Sequence, residues 1–252
     1  YRLIYQTQII KDNLRKYIMA LPKIDLPLNE LTLPSNRQQV MYRPFTVKEE
    51  KILLVAAEAQ DAMVEMMAIK QVVNNCLFDI AIEDISMLDL EYIFLKLRST
   101  SINNTAKFNI NDPDTGESVP VDFDLDTIEI IRDPEHTKVV KINDDLVLYL
   151  KYPNIDDFTK IIGMEASDPL VNYVIMVSCL DTLATDDEVH NFSDYDEDEV
   201  AAFMDNMSGD IVKKISKFFE TMPKLRHVIE VTNPNTKIKG EILLEGLQSF
   251  LV

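Results

Sequence analysis

The 252 residues carry 43 acidic against 25 basic side chains, a formal charge of −18, with an apolar share of 46%. That share supports a buried core in one large or two small domains and excludes wholesale disorder. The charge excludes phosphate-tracking nucleic-acid binding and attachment to an anionic membrane surface, which both need clustered Lys and Arg; an apolar or basic partner suits it better.

No run approaches the ~18 apolar residues that a membrane helix needs. The first stretch, "YRLIYQTQIIKDNLRKYI", lacks the apolar centre and small-residue cleavage site of a signal peptide. It suits an amphipathic helix with Ile4, Ile10, Leu14 and Ile18 on one side. Because Met19 opens a sensible start, "MALPKIDLPL", residues 1–18 read as an appended or upstream segment. Residues 20–45 contain Pro22, Pro27, Pro34 and Pro44, which forbid a long helix there. Within them "DLPLNELTLPS" alternates apolar and polar residues, as a short strand or strap does.

Helix signals begin in "RPFTVKEEKILL", residues 43–54. Thr46 and Glu49 have the spacing of a capping box, in which two amide donors at a helix start are satisfied reciprocally. Ile52, Leu53, Ala56, Ala59, Met63, Met66, Met67 and Val73 then recur at helical spacing, predicting one helix through Asn75. A second helix is predicted near Leu88, in "MLDLEYIFLKLRSTS". Leu90, Ile93, Phe94 and Leu97 form one apolar face, and Tyr92 and Leu95 another, so this helix is either enclosed or offered to a partner.

Near residue 106 the period falls from 3.6 to 2. "KFNI" and "VPVDFDL" read as a hairpin around "NDPDTGES", and "TKVVKI" and "DLVLYLKYP" as two further strands across "NDD". Residues 105–153 are therefore expected to be a small antiparallel insertion in a helical body formed by 19–104 and 154–252. Helices return in "DDFTKIIG" and in "PLVNYVIMVSCLDTLA", the latter opened by the cap-plus-proline pair Asp168-Pro169. An acidic loop, "TDDEVHNFSDYDEDE", leads into "VAAFMDNM" and "SGDIVKKISKFFETMPKL", with Ser208 as a candidate cap. The tail reads as a hairpin around Asn233-Pro234-Asn235 and a short terminal helix. The expected fold class is α+β: a mainly α-helical body, a small antiparallel β insertion and a C-terminal β-hairpin.

Catalytic patterns are missing from the sequence. The five glycines are too dispersed for a phosphate-cradling loop. His136, His190 and His227 lie near no nucleophile setting and form no i, i+4 pair, so they read as solvated or hydrogen-bonded side chains. Cys76 and Cys179, far apart in apolar surroundings, read as small buried hydrophobes of an intracellular product. Asp122, Asp124 and Asp126 share one face of a strand, but the wet face of a half-buried strand accounts for them. Asp194, Asp196 and Asp198 imitate a calcium loop that fails at Glu199 and Asp205, where Gly and Glu are required. A metal-dependent enzyme built on these carboxylates is the remote alternative; the expectation is no enzyme, no metal and no cofactor.

What remains is apolar surface. The methionines of the first helix and "FFETM" of the penultimate one suit a core, yet methionine-rich helices also make adaptable partner grooves. The candidate partner contacts are Tyr92, Leu95, Phe218, Phe219 and Met222. Taken together and in order, "ALPKIDLPLNELTLPS" with "RPFTVKEEKILL", "DLEYIFLKLRSTS" and "KFFETMPKLRHVIEV…GEILLEGLQSFL" resemble the baseplate hub assembly proteins of T4-like contractile-tailed bacteriophages. The resemblance spans residues 19–252. Some relatives carry paired cysteines in the terminal hairpin, suggesting a zinc knuckle; here "TNPNTKIKG" has none, so turn chemistry and packing must hold that hairpin.

The resemblance implies a non-enzymatic assembly role, similar to that of tail assembly chaperones. The implied partners are the tape-measure protein and baseplate hub proteins, with self-association as a further possibility and no nucleic acid or membrane. The place of action is the host cytoplasm during phage assembly, or the virion baseplate if the chain is a permanent hub subunit. "RPFTVKEEKILL" is then expected to build scaffold, with the partner surface elsewhere.

Overall fold

A computed structural model describes residues 24–102, 105–111, 116, 118–161, 164, 168–232 and 239–245. The expected N-terminal amphipathic segment and the short terminal helix lie outside them. The fold is α+β, with seven helices and three small antiparallel sheets plus a two-stranded hairpin among the described residues.

The first sheet grows from the proline-punctuated stretch. Strand β1 (Asn29–Thr32) pairs antiparallel with β2 (Gln39–Tyr42), placing Leu31 opposite Val40, and β2 pairs with β3 (Leu77–Phe78). Alternation sends Leu31, Val40 and Tyr42 inward, where all three are buried. The turn between β1 and β2 closes through Leu33 N–H to Gln38 O at 2.8 Å, with Arg37 in the left-handed region at φ 66°.

Helix α1 (Val47–Glu58) starts where the capping box places it. Thr46 Oγ1 accepts from the Lys48 amide at 3.3 Å, and Glu49 reaches back to the Thr46 amide at 2.9 Å. The single helix expected through Asn75 is in fact two. Gln60 turns into the left-handed region at φ 51°, and Asp61 caps α2 (Ala62–Cys76) by accepting from the amides of Met63 and Val64. Apolar spacing continues across the break and hides it; the signal was the aspartate, whose short side chain competes for amides inside a helix and favours a cap.

Helix α3 (Met87–Ser101) starts at Ser86 and is enclosed rather than offered outward: Leu88, Leu90, Ile93, Phe94, Leu95 and Leu97 are all buried. Buried Asp89 fixes its start, taking the Ser86 hydroxyl at 2.6 Å and the Ser35 amide at 2.9 Å. Helices α1 to α3 and the first sheet share one apolar cluster, which includes Ile69, Val72, Ile93 and Leu97.

The stretch 105–153 does not close on itself. Within it β4 (Thr105–Asn111) pairs with β5 (Ser118–Asp124), and, as expected, the strand at Val139–Lys141 pairs with that at Val147–Leu150. Strand β6 (Glu129–Ile131) joins the terminal hairpin of β11 (Lys224–Thr232) and β12 (Lys239–Glu245). Strands β7 (Val139–Lys141) and β8 (Val147–Leu150) continue into β9 (Leu180–Ala184) and β10 (Val189–Asn191), in the order β10-β9-β8-β7. β9 and β10 were expected as the end of a helix and part of a loop. Pairing with β8 overrides the helical spacing of "CLDTLA", as tertiary context does for short apolar runs.

Four helices accompany these strands: α4 (Ile155–Thr159), α5 (Pro169–Ser178), α6 (Glu197–Asp205) and α7 (Gly209–Thr221). Asp168 caps α5 through the Leu170 amide at 2.9 Å, and Asp196 and Glu199 form a capping box on α6. Ser208 stands at the cap position of α7 without a side-chain hydrogen bond. A second apolar cluster, including Val140, Leu148, Leu150, Met204, Ile215 and Phe218, lies between α6, α7 and the β7–β10 sheet.

Glu49 is 1% exposed and paired with Arg43 at 3.1 Å. Burial alone would raise its pKa, but hydrogen bonds from Arg43 and Thr46 outweigh that and hold it at about 2, against an ordinary 4.5. The depressed value means that its stabilisation is present above pH 4.5 and is lost as pH falls towards 2. A shift of this size corresponds to about 3 kcal/mol. Glu49→Gln is expected to lower stability by about 3 kcal/mol, because Arg43 is left without its counter-charge. Urea melts from pH 7 to pH 3 check this: the variant should lose less on acidification than the wild type.

Candidate interaction surface

The five candidate contacts divide by burial. Leu95 and Phe218 are 3% and 2% exposed and belong to the interior, whereas Tyr92, Phe219 and Met222 are half-buried. Met222 follows α7 and, with Pro223, faces Leu88 and Glu91 of α3 across a pocket of about 200 Å³. The structure thus brings Met222 and Pro223 to the helix that carries Tyr92 and Leu95.

Behind that pocket stands an aromatic stack. His136 lies 5.6 Å from the Tyr152 ring and 5.2 Å from Phe218, and Phe218 meets Phe219 edge-on at 5.1 Å. The Lys138 ammonium sits 4.0 Å over Tyr152, a cation–π contact. His136 Nδ1 is 2.9 Å from Thr221 Oγ1, and Nε2 is 2.9 Å from the Tyr152 hydroxyl. The Thr221 hydroxyl donates to the Lys217 carbonyl at 2.7 Å, so it accepts from Nδ1–H, and Nε2 accepts from Tyr152. The ring is therefore a neutral structural bracket, with its pKa lowered by burial and by nearby Lys138. This matches the hydrogen-bonded reading of His136; its partners come from residues 16 and 85 positions away, which no local pattern reveals.

A second surface lies on the stretch expected to be scaffold. Helices α1, α2 and α3 border a half-open cleft of about 460 Å³. Its floor is Ala56, Ile69 and Phe94, with Leu53, Leu54 and Ile102 on its walls. On α1, Val47, Leu54 and Val55 are 65%, 60% and 69% exposed, and Ile102, just past α3, is 59% exposed. The sequence reading missed this surface because it followed Ile52, Leu53 and Ala56 and left Val47, Leu54 and Val55 unassigned. Positions 47, 54 and 55 form a second stripe at i, i+7, i+8, which was legible.

The polar candidates have structural work. Among the described residues no three His, Cys, Asp or Glu side chains assemble into a metal-sized group. The side chains of Asp122 and Asp126 lie outside the described set. Asp196 and Glu199, from the acidic loop, cap α6. Cys76 and Cys179 are free and buried, their pKa values pushed up by burial to about 11 and about 12, which leaves both as thiols at neutral pH. No helix of the described residues is long and apolar enough to cross a membrane.

Fold and surfaces together define an acidic α+β protein whose open chemistry is apolar contact. The chain belongs to the T4 bacteriophage base plate protein family, which it matches over residues 26–252. No curated protein and no solved structure matches it.

The lowered pKa of His136 makes a signed prediction. The unfolded chain binds this proton more readily, so the neutral bracket stabilises fully above pH 6.5 and less as pH falls below it. Imidazole proton NMR should show His136 titrating below 6.5. A normal or raised value would rule out a stabilising role for the neutral ring.

Proposed function

We propose that the chain is a non-enzymatic factor in assembly of the baseplate hub, covering apolar helical segments of the tape-measure protein or of hub proteins until they are incorporated. The observation carrying this reading is open apolar surface on a chain of net charge −18, with Val47, Leu54, Val55 and Ile102 all more than half exposed. Large contiguous apolar surface marks interaction sites, while like charge keeps the free protein soluble. Tyr92, Phe219 and Met222 supply further contacts, with buried Phe218 packed edge-on against Phe219. The family, a base plate protein family by its description, supports partners within the baseplate.

A second reading also has support, because a base plate protein is equally a permanent hub subunit. The two separate cleanly. Co-expression with the tape-measure and hub proteins of the same phage is expected to give a co-purifying complex and to raise the soluble fraction of the partner. Mass spectrometry of purified virions should then find no stoichiometric copy of the chain. A stoichiometric virion copy would favour the subunit; a partner fully soluble and unbound in its presence would remove the assembly-factor reading.

A further inference from the structure

We propose that the cleft between α1, α2 and α3 seats one amphipathic helix of a partner protein, whose apolar stripe is flanked by Lys or Arg. The inference rests on the reading of the chain as a factor that covers apolar helices; it adds where the helix lies and what charge it carries. The cleft has the form that such a helix requires. Its floor is apolar, and Ala56 and Ala57 keep it low enough for a second helix to approach. Leu54 and Ile102 stand on the walls as large side chains exposed by 60% and 59%, positioned to close over an occupant. A shallower pocket of about 330 Å³ continues the cleft past Phe45, Glu50 and Ile102 to Val47, Ile24 and Leu26. The surface therefore runs the length of α1, whose 12 residues span about 18 Å, room for three to four turns of a partner helix.

Charge selects the occupant. Glu50 and Glu65 line the cleft, and neither side chain makes an ion pair or hydrogen bond among the described residues. Arg98 also lines it, but it is engaged within the protein, and burial lowers its pKa. The unspent charge is thus negative, beside apolar walls where a salt contact is screened less than in open water. A second copy would bring the same carboxylates and the same net charge of −18 to the contact, which disfavours self-association. A helix with Leu or Ile at i, i+3, i+4 and i+7 and lysines along its flank satisfies both floor and rim.

The probes are two synthetic helical peptides with one leucine pattern, flanked by Lys in one and by Glu in the other, titrated by fluorescence anisotropy into the full chain. The Lys-flanked peptide is expected to bind at least about tenfold tighter. Leu54→Asp, at an exposed position, should weaken it at least about tenfold while circular dichroism stays unchanged. Glu50→Lys with Glu65→Lys should reverse the peptide preference. Equal binding of both peptides, or binding indifferent to Leu54→Asp, overturns the proposal. So does a Leu54→Cys cross-link that captures residues 1–23 of the same chain, or a second copy. Co-purification with phage partners separates the two readings. If Leu54→Asp captures them as well as wild type does, the cleft falls and the assembly role stands. If wild type captures none yet holds the Lys-flanked peptide at the cleft, the assembly role falls and the cleft stands.

Discussion

The N-terminal core depends on one ion pair, between half-buried Arg43 and fully buried Glu49. Arg43 leaves the end of β2 and reaches Glu49 at 3.1 Å, the Asn75 carbonyl at 2.9 Å and the Pro44 carbonyl at 3.0 Å. Its own amide donates to the Cys76 carbonyl at 2.9 Å. One guanidinium therefore ties the end of a strand, the start of α1 and the end of α2. An ammonium lacks the planar fork needed to serve these acceptors together. Glu49, in turn, does two tasks with one carboxylate: it completes the cap of α1 and neutralises Arg43. The end of α3 joins the same junction, since the Ser101 hydroxyl accepts from the Phe45 amide at 2.9 Å. Burying a charged pair costs desolvation that a hydrophobic pair would avoid. Here that cost is offset by hydrogen bonds, since Arg43 also serves the Asn75 and Pro44 carbonyls and Glu49 the Thr46 amide, so the pair ties the start of α1 to the end of α2.

Polar and backbone contacts help to join the two apolar clusters. Met87 N–H donates to the Pro153 carbonyl at 2.8 Å, Asn154 donates to the Glu83 carbonyl at 3.2 Å, and Lys70 meets Asp156 at 2.6 Å. Arg132 spans further, to the Pro34 carbonyl at 2.6 Å. Ile155, from the second half, packs into the first cluster. Leu88 of α3 and Leu225 of β11 line the pocket near Met222, between the two halves. Directional contacts fix orientation at small net energy, about 1 kcal/mol each.

Local signals made part of this legible. Thr46 and Glu49, Asp168 with Pro169, and the alternating run around Phe108 and Val121 each carry their structure within a few residues, and each element forms where the spacing placed it. Most misses share a cause. The strand at Leu180 and the pairings of β6 with β11 and of β8 with β9 are decided by residues far along the chain. So is the burial of Leu95 and Phe218, since an apolar face looks the same in sequence whether a second layer covers it or not. The break at Gln60 is the exception, signalled locally by Asp61. The expectation that "RPFTVKEEKILL" builds scaffold rests on part of its pattern. It followed the inward stripe and left Val47, Leu54 and Val55 unassigned, although their spacing alone placed them together.

That outward stripe changes what the acidic composition means. A uniform charge of this size would merely keep the chain apart from its neighbours. Concentrated beside an apolar cleft, carboxylates such as Glu50 and Glu65 become a filter: they leave an apolar helix free to dock and penalise one that carries its own acids. The same charges that hold copies of this protein apart then favour a partner of opposite sign. Solubility and selectivity rest on one set of side chains, held in place by a helix whose start is fixed by Glu49, the one carboxylate of that turn turned inward.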